Sequence, residues 1–143
     1  MKNILPNIII LHTMAFLTMA NKGHAQDVNA QSMRWQAVQV TFLNDGKKEE
    51  NNSQFIVKPS TVEWIQKNGQ KVYTFEITET LGTWPDVAQD GSITYQVRLK
   101  GKTGTISVRK SNGSITLRLT YRSGETTGLN REYQINHFER IAQ

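Results

Sequence analysis

Strict alternation of apolar and polar residues between Ile93 and Arg122 constrains this chain more than any other feature. Ile93, Tyr95, Val97 and Leu99 fall on one parity, with Thr94, Gln96, Arg98 and Lys100 on the other. Ile115, Leu117, Leu119 and Tyr121 repeat the pattern against Thr116, Arg118, Thr120 and Arg122. A period of two, rich in β-branched and aromatic residues, specifies a half-buried antiparallel strand. Ile106 and Val108 mark a shorter strand between the two, with Thr105, Ser107 and Arg109 facing outward. Lys100-Gly101-Lys102 closes one hairpin and Ser111-Asn112-Gly113 the next. Asn-Gly suits a type I′ turn, whose central residues both need positive φ. Residues 91–122 therefore read as a three-stranded meander.

The same signals recur upstream. Val38, Val40 and Phe42 alternate in a strand opened by Trp35, and the polar run 44–53 reads as a loop. Phe55 and Val57 start a short strand that Pro59 should end or bend, because proline cannot donate to a ladder. Val62 and Trp64 follow, then an Asn68-Gly69 hairpin turn, then a strand through Tyr73, Phe75 and Ile77. Near the end, Tyr133 and Ile135 share one parity, and Phe138 and Ile141 break it. That break implies a bulge near Asn136-His137 or a final helical turn. The expected fold is all-β: about eight strands in a small antiparallel up-and-down barrel, with a β-sandwich as the alternative.

The first residues read as a signal peptide. Lys2 gives a positive start, Ile4 to Ala20 is mostly apolar, and Gly23-His24-Ala25 offers a small-residue cleavage site. Pro6, Asn7, His12 and Thr13 interrupt the apolar run, which argues against a membrane span. The expectation is a leader over 1–25 and a single domain over 26–143, secreted or periplasmic and monomeric. The chain has no cysteine, so packing alone must hold such a domain together.

Catalytic signals are sparse. His137 is the one histidine after the leader, and with no cysteine it cannot build the usual zinc site. No Gly-x-Ser-x-Gly elbow and no nucleotide-binding glycine loop is present. Glu63 with Glu76, and Asp86 with Asp90, are the carboxylate pairs near enough in sequence pattern to consider, and surface charge is the simpler explanation. The expectations are accordingly no enzyme, no metal and no cofactor.

Two surfaces invite a partner. Between 91 and 124 there are seven bases and no acid, and Arg98, Lys100, Arg118 and Arg122 all take the outward parity. Such a basic face attracts an acidic partner. It carries no outward aromatic residues for stacking, which argues against nucleic acid. The second surface is the loop 81–91, where Trp84, Pro85 and Asp86 make either an exposed anchor or a plug in one end of a barrel. An extended amino-terminal segment starting at Gln26 and Asp27 could also lie in a partner's cleft.

The strand pattern resembles the calycins, among them lipocalins and the potempin-type peptidase inhibitors of secreting bacteria. Gly82-Thr83-Trp84 matches the Gly-x-Trp of lipocalins, whose place is the first barrel strand. Here the tryptophan at that place is Trp35, preceded by Met33-Arg34. The resemblance implies a closed barrel without catalytic residues. It implies a protein partner, such as a co-secreted metallo- or serine peptidase, with a carrier of a small apolar ligand as the alternative.

Overall fold

A computed structural model describes residues 27–122, 124 and 128–142 of the chain. The expected leader, its expected cleavage site and Gln26 lie outside those residues. Nine strands form one antiparallel sheet: β1 (Ser32–Phe42), β2 (Lys48–Glu50), β3 (Gln54–Val57), β4 (Thr61–Gln66), β5 (Lys71–Leu81), β6 (Gly91–Leu99), β7 (Lys102–Ser111), β8 (Ser114–Arg122) and β9 (Gly128–Ile141). β9 returns to pair with β1 from Ser32↔Ile141 to Phe42↔Arg131. That pairing closes eight strands into a barrel, with β2 as an extra strand on β1. A sandwich is thereby replaced by the meander barrel, because every consecutive pair from β3 to β9 is a neighbour in the sheet.

The turns take the conformations their residues demand. Asn112 and Gly113 have φ of 51° and 78°, and Lys100 and Gly101 have 51° and 74°. Both are the two-residue, positive-φ connections that match strand twist. Asn68 and Gly69 likewise have positive φ between β4 and β5. β3 stops at Val57, just before Lys58-Pro59.

Two expectations need correction, for the run 44–53 and for Val38, while the bulge near Asn136-His137 is present. The polar run 44–53 is not all loop: Lys48–Glu50 pairs with Gln39–Thr41 of β1 as a short strand. Its residues are exposed on both faces, so no apolar alternation marks it. The chain end forms no helical turn. It stays in β9, and Gln36 faces His137 while Ala37 faces Ile135, which leaves Asn136 as the extra residue of a bulge. A second irregularity skips Val38 on β1, leaving it 44% exposed rather than inward with Val40 and Phe42.

Inward residues fill the barrel. Trp35, Phe55, Phe75, Ile106, Leu117, Leu119 and Tyr133 are all essentially inaccessible. Their alternation along each strand packs the middle of the barrel with apolar and aromatic side chains, as suits eight strands. At one end, the loop between β5 and β6 folds inward. Trp84 stacks on Trp35 with ring centroids 6.0 Å apart and planes 11° from parallel. Gly91 is where this packing is tightest, since a Cβ there would lie 2.3 Å from the Trp84 ring. Gly91→Ala should therefore cost about 1–3 kcal/mol through overpacking. Urea denaturation would measure it, with exposed Ser92→Ala as the neighbour expected to change little; equal stability of the two variants would show that the indole is not seated there.

Candidate functional site

The two ends of the barrel differ, and the difference originates in two short segments. At the first end, Asp27 caps a 3-10 turn over Val28–Ala30, its carboxylate accepting from the Asn29 N–H at 2.9 Å. This turn is stitched to the β5–β6 loop. The Val28 N–H donates to the Trp84 carbonyl at 3.0 Å. The Asn29 side chain accepts from the Trp84 N–H at 2.8 Å and donates to the Gly82 carbonyl at 2.9 Å. The Trp84 indole N–H donates to the Gln89 carbonyl at 3.1 Å, so the ring is buried with its polar atom satisfied. Lys110 reaches the Val87 and Ala88 carbonyls at 3.2 and 3.0 Å and anchors the far side of the loop. The loop and the turn cover this end.

The opposite end has no such cover among the described residues. A cavity of about 340 Å³ lies there, walled by Trp64, Tyr73, Phe75, Leu99, Tyr121 and Leu129, with Gln66, Lys71 and Arg131 among them. Phe75 and Tyr121 meet edge to face at 5.7 Å, and Trp64 leans on Tyr73 at 5.4 Å. The Tyr121 hydroxyl donates to the Leu99 carbonyl at 2.9 Å, which fixes its ring at the rim. Phe55 and Tyr133, both buried, pack on the Trp64 ring at 6.0 and 6.2 Å. The Arg131 guanidinium lies 5.0 Å from the Phe42 ring and 5.7 Å from the Trp64 ring. Lys71 stands 5.4 Å from the Tyr73 ring. Each contact is a cation–π attraction of about 0.5–2 kcal/mol, depending on desolvation.

The residues singled out from the sequence fall in different places. Trp84 is the plug, 1% exposed, and so is not a surface anchor. Asp86 accepts from the Ala88 N–H at 2.9 Å within its own loop turn, and Pro85 is exposed beside it. Asp27 is the cap described above. Arg98, Lys100, Arg118 and Arg122 are outward and exposed, as their parity requires. The basic face is nevertheless interleaved with acids from neighbouring strands. Arg98 pairs with Glu76 at 2.9 Å, and Arg118 faces Glu132 across β8–β9. Glu63 is held by Lys58 at 2.8 Å, so both members of the Glu63–Glu76 pair are taken by cations. His137 is exposed on β9. Among the described residues no group of three or more His, Asp or Glu side chains could hold a metal, and no helix is long and apolar enough to cross a membrane.

Arg131 and Lys71 escaped the sequence reading, although a signal exists. Both carry charge on the inward parity, Arg131 in line with Tyr133 and Lys71 in line with Tyr73 and Phe75. No family model matches the chain, and neither curated proteins nor solved structures give a match.

Burial pushes the Tyr95 and Tyr133 phenols above the ordinary tyrosine range, with the Arg131 guanidinium working the other way on Tyr133. The folded chain then keeps protons that the unfolded chain loses above about pH 10. Stability is intact below that pH and falls as pH rises through it, by up to about 1.4 kcal/mol per pH unit for each phenol. Urea midpoints at about pH 9 and pH 11 should drop less in Tyr95→Phe and Tyr133→Phe than in the parent. An unchanged slope in both variants would show that neither phenol is desolvated.

Proposed function

We propose that the mature protein is a secreted, non-enzymatic binding barrel that holds a small ligand in its open mouth. The observation that carries this reading is the unlike construction of the two ends. One end is closed by Trp84 and the 3-10 turn, and the other is an aromatic-walled cavity of about 340 Å³. Small-molecule sites are concave, mainly apolar and roughly 300–1,000 Å³ in size, with a few polar groups that orient the ligand. The mouth has that composition, and its volume suits a compact ligand rather than a long chain. Support for non-enzymatic binding comes from the carboxylates Glu63 and Glu76, which are each paired with a cation on the outer face.

The peptidase-inhibitor reading draws on a different surface and has less behind it. Its anchor, Trp84, lies inside the barrel, and Val28 of the amino-terminal segment is buried against the same loop. Exposed Pro85 is what remains of the loop as a presentable feature.

Native mass spectrometry of protein purified from its own host should show bound small-molecule mass. Leu129→Trp, which fills the mouth from β9, should lose that mass while keeping the parent's thermal midpoint. A protein that is always ligand-free, but forms a tight stoichiometric complex with a secreted peptidase, would overturn the reading in favour of the inhibitor.

A further inference from the structure

Resting on the open-mouth reading, we infer that the site is selective for an anion: a small ligand with a flat, apolar body and one carboxylate or similar oxyanion. The argument starts from the two inward cations. Arg131 sits on β9 and Lys71 on β5, which are four strands apart in the closed order β5-β6-β7-β8-β9 and so on opposite walls of an eight-stranded barrel. Both side chains line the same cavity. Turning a cation toward a barrel interior is unfavourable unless something compensates its desolvation.

The compensation present is partial. Arg131 is half-buried against the faces of Phe42 and Trp64. Ring faces attract the cation and the neutral Tyr133 phenol lies against it, but neither supplies a negative charge to answer the guanidinium. Among the described residues, no Asp or Glu lines the cavity. Nor does Arg131 or Lys71 take part in any of the ion pairs between described residues, which are Arg34–Glu139, Lys47–Glu49, Lys58–Glu63 and Arg98–Glu76.

The outer surface follows a different rule. There Arg98 and Lys58 are matched by carboxylates at 2.9 and 2.8 Å. The mouth is thus a place where positive charge is gathered on apolar walls and left unanswered from within the described chain. An oxyanion there would accept a forked pair of hydrogen bonds from Arg131, and the apolar body would lie against Trp64, Tyr73 and Tyr121. A neutral ligand would leave the cations as they are. A cationic ligand would face two like charges in a confined space.

Calorimetric titration with three matched probes tests this: 2-naphthoate, 2-naphthamide and 2-naphthylmethylamine. The expected order is naphthoate at least about tenfold tighter than the amide, with the amine weakest. Arg131→Gln should bring naphthoate down to the level of the amide and leave amide binding within about twofold of the parent, which also reports that the variant is folded. Should Arg131→Gln fail to fold, Lys71→Gln at an exposed side chain must still lower the ratio of acid to amide affinity. Equal affinity for acid and amide, or an amine that binds best, overturns anion selectivity while leaving the mouth as a site. Failure of all three probes to bind at about millimolar concentration overturns the mouth itself.

Discussion

The pairing of β1 with β9 is the constraint on which the rest depends. It joins Ser32–Phe42 to Arg131–Ile141 through ten register partners and turns an open meander into a barrel with no long free edge. Closure removes the unpaired rows of backbone donors and acceptors that make sheet edges prone to aggregate. It also fixes which residues point inward around the circle. The two irregularities in that ladder, at Val38 and at Asn136, let both strands stay paired while their side chains change parity. Bulges of this kind bend a strand and increase its twist, which a small barrel requires at its tightest curvature.

Once the barrel closes, its two ends compete for the same resource, the large aromatic side chains. Trp35, Trp84 and Phe138 gather at one end, with Trp35 at 6.0 Å from Trp84 and 5.7 Å from Phe138. Trp64, Tyr73, Phe75 and Tyr121 gather at the other. The first group is covered by a loop that the amino-terminal turn holds down through Asn29. The second group has no such cover among the described residues, and the charged side chains beside it are the cations Lys71 and Arg131. A base covered by Trp84 and a cationic, aromatic rim suit a receptacle for one end of a small ligand, with rigid walls that require little reorganisation on binding.

Most of the fold was legible because alternation and turn chemistry agree. The meander 91–122, the Asn112-Gly113 turn and the break before Phe138 all follow from residue type and period alone. β2 was hidden because its residues, Lys48 to Glu50, are exposed on both faces and so have no periodic signature. Val38 misled because a bulge reverses parity without any local marker. The site was harder. Trp84 draws attention as a bulky loop residue, yet its burial depends on Asn29, 55 positions away. Arg131 and Lys71 could have been found from their inward parity, but only after the direction of β5 and β9 was settled. Their meeting in one cavity is a property of closure, and no local pattern encodes it.

The three tryptophans of the chain report the two ends separately, since Trp35 and Trp84 belong to the end covered by the β5–β6 loop and Trp64 to the mouth. A titration of the nitrogen-15-labelled protein with 2-naphthoate, followed by the indole N–H resonances, therefore tests the central claim most directly. Binding at the mouth predicts a progressive shift of the Trp64 signal while those of Trp35 and Trp84 stay in place. Movement of Trp84 with Trp64 unaffected would put the site at the other end and contradict the account.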